Sequence, residues 1–430
     1  MQQGTAITAF SDSCSYCLDG FLGLYSAKEA AAYFLQKRFF KRERLQGMHR
    51  VESLSALDDS SGDGGNKSIP VRDYSVIDPA NIAFGAGVNS LLNQLFFILA
   101  KPDDVVLVPA PYYSAYDFDA KAIAQCKIHP VYMDNPIVGP TASDLENAAR
   151  DAEKQGKRVK ILLLTNPNDP LGVIYRPHVI NSVITWARER KLHTIVNEIY
   201  ALSVHMSYPN RFDSTIKVLD NQMNDDVHVL WGLSKDFGAS GFRFGVLYTH
   251  NAELLQSLAN LNIFCAVSNP MQMIVAEVLM DDNFIDSFLE RARGQLLQSY
   301  NLCIEKLQEM VVPYVAAEAG LFVYVDFSSL LPEPTFEGEA KFASLIQDFA
   351  RVVMTPGHIQ HDRKPGMFRL CYTWVTPDVL EVAMERLSYV VLQIRRNHWD
   401  HLLSGNWKHE VTKNSMRRST MNLSELVGYD

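Results

Sequence analysis

Long apolar runs are missing from the 430-residue chain. Its longest, such as 95–100, fall far short of the roughly 20 residues that a bilayer-spanning helix needs, so no membrane anchor is expected. The first residues carry Ser, Asp and Cys where a secretory leader would be apolar, which makes the cytosol the expected compartment. Positive charge is also in deficit. Forty Lys and Arg residues stand against 49 Asp and Glu, and the basic residues are dispersed, so no nucleic-acid partner is expected. Cysteine is scarce, with six residues at 14, 17, 126, 265, 303 and 371, mostly isolated. Cys14 and Cys17 form a CxxC, but with no second pair or nearby His they read as two reduced thiols near a chain end, and no metal is expected. Apolar material itself is ample at 47%, enough for the core of one large domain and a smaller one.

Between 105 and 248, β-rich runs at 105–109, 127–132, 160–164, 193–196, 227–230 and 244–248 alternate with helical patterns. Such alternation predicts βαβ units and an α/β fold with a mainly parallel sheet. Pro177 opens one helix, with Val179, Ile180, Val183, Ile184 and Ala187 on its packing face. In these sheets ligands sit beyond the carboxyl ends of the strands, and the polar motifs of this sequence fall there. Residues 58–67 read as a surface loop rich in Gly, Ser and Asp. From Asn283 a helical pattern runs toward Met310, followed by strand-like GLFVYVDF and MFRLCYTW, which suits a smaller α+β lobe. The expected organisation is a large domain over 1–285, a small one over 286–402 and a polar tail over 403–430.

The sharpest local signal is Gly232-Leu233-Ser234-Lys235-Asp236-Phe237-Gly238, followed by Gly241-Phe242-Arg243-Phe244-Gly245. Taken alone, a Lys after a strand is a solvated surface residue. A lysine that forms a Schiff base needs a strand end, and an Arg eight residues on can grip a phosphate with its planar fork. This segment resembles the one that carries the cofactor lysine in fold-type-I pyridoxal-phosphate enzymes, in particular class-I and class-II aminotransferases and 1-aminocyclopropane-1-carboxylate synthase. The resemblance implies an aspartate-aminotransferase-like fold and pyridoxal 5'-phosphate as cofactor. Lys235 would carry it covalently, with Ser234 and Arg243 in the cofactor-binding set.

Further segments match the same family in the same order. Asn166-Pro167-Asn168-Asp169-Pro170-Leu171-Gly172 resembles its NPxNPxG loop, and Asn197-Glu198-Ile199-Tyr200 its DEIY strand end. Tyr200 is then expected to donate to the cofactor's phenolic oxygen as a catalytic partner of Lys235. Pro109-Ala110-Pro111-Tyr112-Tyr113 resembles the segment whose aromatic ring stacks on the cofactor, with Tyr113 the better aligned of the two. Gly85-Ala86-Gly87-Val88 resembles the Gly-rich turn opening a helix at Asn89, where Ala86, Gly87 and backbone N–H groups would meet the phosphate. Arg369 falls where the family binds the substrate α-carboxylate.

The chain departs from the family at several points. Asn197 stands where an Asp keeps the ring nitrogen protonated, and Asp169 where an Asn faces the phenolic oxygen, as if the two had been exchanged. Gly232 replaces a phosphate-binding Ser. Phe21-Leu22-Gly23-Leu24 aligns with a YHGL motif, so Phe21 replaces a Tyr that reaches a neighbouring subunit, and the family's arm upstream of it is not seen. Ser268-Asn269-Pro270 resembles a segment that approaches the neighbouring site, and a homodimer is expected. The resemblance extends to fungal secondary-metabolite enzymes of the gliotoxin-pathway type, which include carbon–sulfur lyases. The expected function is action at Cα of an amino-acid-like substrate, by amino transfer or by β-elimination. The alternative is a catalytically weak cofactor-binding or scaffold protein.

Overall fold

The structure is a computed structural model whose described residues are 19–40, 76–205, 212–396 and 399. The Cys14/Cys17 pair, the 58–67 loop and the tail from 403 lie outside them. Seven strands make the larger sheet: β1 (Ile82–Ala86), β2 (Val105–Ala110), β3 (Lys127–Tyr132), β4 (Val159–Thr165), β5 (His193–Asn197), β6 (Val227–Gly232) and β7 (Phe244–Thr249), in the order β1-β7-β6-β5-β4-β2-β3. Pairing is parallel from β3 across to β6, whereas β7 is antiparallel to both β6 and β1. The link from β6 to β7, residues 233–243, is too short for the crossover of about a dozen or more residues that parallel pairing needs. All six runs read from the sequence are strands, five of them longer by one or two residues. β1 was not expected: the chain is extended to Ala86, and the helix after it starts at Val88 rather than Asn89.

Both faces of this sheet are covered, which is why its strands are apolar throughout. One face packs against α1 (Tyr25–Arg38), and the other against α2 (Val88–Leu99) and α3 (Ala115–Ala122); α4 (Ala142–Lys154) and α5 (Pro177–Glu189) lie on the side of α1. The period of two decides which residue goes where. Val227, Val229 and Trp231 of β6 join the α1 side, and Leu230 the α2 side. Trp231 is enclosed by Phe34, Phe39 and Phe237, and burying a side chain of this kind contributes about 1.5–3 kcal/mol. Helices α6 (Ala252–Leu261) and α7 (Asn269–Met280) complete the cover.

The long helix α8 (Asp282–Glu309) is the one expected from Asn283 onward. It leads to a second, antiparallel sheet of β8 (Tyr314–Val315), β9 (Phe322–Asp326), β10 (Thr355–Pro356) and β11 (Met367–Cys371), in the order β10-β11-β9-β8. With α9 (Phe336–Phe349) and α10 (Pro377–Arg395) it has an apolar core of its own, built on residues such as Leu307, Val325, Phe342 and Leu387. Arg369 of β11 projects from this sheet to the carboxyl ends of the larger one.

Candidate active site

β6 ends in a helical turn, Leu233–Asp236, that carries Lys235. The turn is held from behind by the buried Asp236, which accepts from Ser203 Oγ at 2.6 Å, Trp231 Nε1 at 2.8 Å and Leu202 N at 3.1 Å. Burial pushes the Asp236 carboxyl up to about 6, against those hydrogen bonds. On the open side, Lys235 Nζ lies 5.9 Å from the centre of the Tyr200 ring and has no ion-pair or hydrogen-bond partner among the described residues. Lys235, Ser234, Arg243, Tyr113, Asp169, Asn197 and Tyr200 all line one cavity, together with Val88 and Asn89.

One end of the cavity is built to receive an anion. Helix α2 begins at Val88 with Gly87 as its cap and no capping side chain, so its first N–H groups keep their donor capacity. Gly87 has φ +85°, and a Cβ there would lie 2.4 Å from Arg243 Nη2. Arg243 is itself left-handed at φ 49°, a conformation costing about 1–3 kcal/mol at a non-glycine residue. Its guanidinium donates to Ala86 O at 3.0 Å and Ser240 O at 3.1 Å, which aims it at the start of α2. Gly232, where the family has Ser, is tightly packed: a Cβ would meet Phe244 O at 2.7 Å and Val88 Cγ2 at 3.2 Å. A Ser at 232 requires the β6–β7 edge to move.

The opposite end is aromatic and polar. Tyr113 faces the cavity, whereas Tyr112 is buried, donates to Asp117 Oδ1 at 3.0 Å and stacks on His361. Asn197 does not stand alone: its Nδ2 donates to Tyr116 Oη at 2.8 Å, and Tyr116 Oη is 2.7 Å from Thr165 Oγ1. Asn197 Oδ1 accepts from Ile199 N at 3.2 Å. Burial raises the Tyr116 phenol to well beyond neutral pH, so this chain of groups carries no charge.

Asp169 ties together two other residues of the expected site. Its buried carboxylate accepts from Tyr200 Oη at 2.9 Å and from Arg369 Nη1 at 2.7 Å. Tyr200 has one proton to donate, and it goes to Asp169 Oδ2. Burial, then the Asp169 charge, holds the Tyr200 phenol far above its ordinary range. The Arg369 guanidinium meets the same carboxylate instead of being open on all edges, and among the described residues its Nη2 has only a long 3.5 Å contact to Thr355 Oγ1. Sequence reasoning missed Tyr116 and Thr165. The signal for Tyr116 was its place three residues after Tyr113, in the first turn of α3.

The family described as "Aminotransferase class I and II" matches residues 72–387. The chain belongs to this family, whose cofactor is pyridoxal 5'-phosphate. Among curated relatives, a 1-aminocyclopropane-1-carboxylate synthase of Glycine max is 32% identical over 322 residues, covering 74% of this chain and 66% of the relative. Another from Vigna radiata var. radiata is 33% identical over 302 residues, covering 69% of this chain and 81% of the relative. The chain thus spans just under two thirds of the length of the soybean protein it matches. Among solved structures, a Thermus thermophilus aspartate aminotransferase mutant superposes with TM-score 0.68 at 20% identity, over 88% of this chain and 91% of the other. The Pyrococcus horikoshii aromatic aminotransferase gives 0.69 at 20%, over 89% and 92%. The architecture is the aspartate-aminotransferase fold.

The cavity fits that cofactor on this structure's own terms. The uncapped start of α2 and Arg243 suit a phosphate, a glycine at 87 leaves the space a Cβ would fill, and the amine of Lys235, without a partner among the described residues, lines the same cavity. Among the described residues, no helix is long and apolar enough to cross a membrane.

Proposed function

We propose that the protein is a pyridoxal-phosphate enzyme acting at Cα of an amino-acid-like substrate, and that it eliminates a β-substituent such as a thiol more readily than it transfers the amino group. The observation that carries this is the convergence of Lys235, Arg243, Tyr113 and Tyr200 on one cavity with an uncharged amide, Asn197, at its far end. The cofactor, when bound, supplies an imine link to the substrate nitrogen and a ring that withdraws the electron pair left at Cα. Arg243 and the start of α2 hold the phosphate, and Tyr113 confines the ring. Lys235 Nζ takes the proton from Cα and hands it to the departing β-substituent, which leaves as the neutral thiol; among the described residues it is the one amine on the cavity wall. Arg369 anchors the substrate at the side away from the phosphate.

Asn197 supports elimination. A carboxylate there would favour a protonated ring nitrogen, but an amide held by Tyr116 and Ile199 is neutral. The ring is then a weaker electron sink, which suits a substrate that discharges its electron pair onto a β-leaving group. A homodimer and a role in secondary metabolism, both implied by the resemblance, belong to this proposal. The test offers purified holoprotein a panel of amino acids and cysteine thioether conjugates, each as free acid and as amide, and measures keto product and released thiol. Thiol release exceeding transfer to an α-keto acceptor is expected. Failure of every member to react, with cofactor bound, would overturn the proposal in favour of a scaffold protein.

A further inference from the structure

We propose that Asp169 is a specificity residue that gives Arg369 its counter-ion from within the protein, so that the pocket prefers amino compounds whose α-carboxyl is absent or masked, as an amine, amide or ester, over free α-amino acids. This rests on the reading that the cavity works at Cα of an amino compound. Both oxygens of Asp169 are engaged, Oδ1 by Arg369 Nη1 at 2.7 Å and Oδ2 by Tyr200 Oη at 2.9 Å. The carboxylate is buried and the arginine side chain only 20% exposed, so solvent screens the pair weakly.

The ionisable groups facing Asp169 come from every wall of the cavity. Arg369 comes from β11, Tyr200 from the end of β5, Tyr113 from the end of β2 and Tyr116 from α3. Burial keeps the three phenols neutral. Lys235 stands beyond the Tyr200 ring and is no longer a free ammonium once it holds the cofactor. Asp169 and Arg369 therefore sum to zero charge. A free carboxylate brought to this guanidinium adds a second anion beside Asp169, or else drives Asp169 off and leaves it buried without a partner. An amide carbonyl or a hydroxyl can accept from Nη2, whose one contact among the described residues is the long one to Thr355, and the pair stays intact. An Asn at 169 is neutral and would leave Arg369 a buried cation in want of an anion, which is the opposite preference.

The test is equilibrium binding to cofactor-loaded protein near pH 7.5, by calorimetry and by cofactor absorbance. The ligands are α-methyl amino acids with small, thioether and aromatic side chains, each as free acid, amide and amino alcohol; none has a hydrogen at Cα to lose. The unsubstituted protein should bind the amide and alcohol of a given side chain at least tenfold more tightly than the acid, and Asp169→Asn should reverse the order by at least tenfold. The first comparison needs no variant, so a misfolded Asp169→Asn protein cannot obscure it. An acid bound as tightly as its amide by the unsubstituted protein overturns the role of Asp169 and leaves the Cα reading standing. Absence of binding by every ligand to both proteins, with cofactor retained, overturns the Cα reading and this proposal with it.

Discussion

Asn197, the last residue of β5, reaches 2.8 Å to the hydroxyl of Tyr116 on α3, and through it to Thr165 at the end of β4. Three neighbouring elements thus fix one neutral amide at the ring end of the cavity. Restoring a carboxylate there and removing the one opposite, by Asn197→Asp with Asp169→Asn, should raise amino transfer relative to elimination. A tenfold change in the ratio corresponds to about 1.4 kcal/mol, the scale of one unit of ring pKa. The measurement is keto acid against thiol from one thioether substrate. An unchanged ratio would show that the exchange has no electronic effect.

Lys235 should be the one residue labelled when the holoprotein is reduced with borohydride and mapped by peptide mass. Lys235→Ala should still bind cofactor through Arg243 and the start of α2, but lose the label and about 10²–10⁴-fold in turnover. A label on another lysine would refute the assignment.

Gly87→Ala tests the phosphate end. The added Cβ falls 2.4 Å from Arg243 Nη2 and imposes a left-handed conformation, at φ +85°, on a residue with a side chain. With ψ at 163° this is a backbone region that essentially only glycine occupies, and the cost alone is about 1–3 kcal/mol. Cofactor affinity, measured by equilibrium dialysis, should fall at least tenfold, while Gly156→Ala, with φ +72° and open space around it, should not change it.

Protonation of a buried histidine should mark the acid side of the stability curve. Burial lowers His228 to about 3 from its ordinary 6.5, and its ring lies 2.8 Å from Thr249 Oγ1 and 3.0 Å from His193. The folded chain then binds fewer protons at this site than the unfolded one between pH 6.5 and 3, so stability falls as pH drops through that window. At pH 5 the loss from this residue is about 2 kcal/mol. Glu198, raised to about 7 by complete burial, acts in the opposite sense: its contribution is full below its unfolded value near 4.5 and is lost as pH rises through 7. The two overlap, so the informative readout is the difference between the unsubstituted protein and His228→Gln. Denaturant midpoints at pH 7 and pH 5 should converge toward a common shift less steeply in the variant, and identical pH slopes would remove His228 as the cause.

Local chemistry was legible wherever a strand end met a short motif. The six strands from 105 to 249 and the helix opened by Pro177 announce themselves by apolar runs and one proline. The turn bearing Lys235 is given by its own seven residues. β1 was not legible, since Gly85 and Gly87 read as a turn, and only pairing with β7 makes 82–86 a strand. The Asp169–Arg369 bond joins positions 200 residues apart, from two different sheets. Both residues could be placed in the pocket from their motifs, but motif order does not say that they satisfy each other. The direction of β7 depended on the length of the link before it, a signal present in the sequence but overshadowed by the alternation pattern.

The turn at Leu233–Asp236 draws its shape from Asp236, Trp231, Ser203 and Leu202, none of which involves the lysine side chain. Shortening Lys235 therefore leaves the turn's scaffold in place while removing the base. A Lys235→Ala protein, loaded with cofactor and passed through a metabolite extract, becomes a fishing tool: it can retain amino compounds that it is unable to release as product, and mass spectrometry of the retained material would name candidate natural substrates without guessing at them.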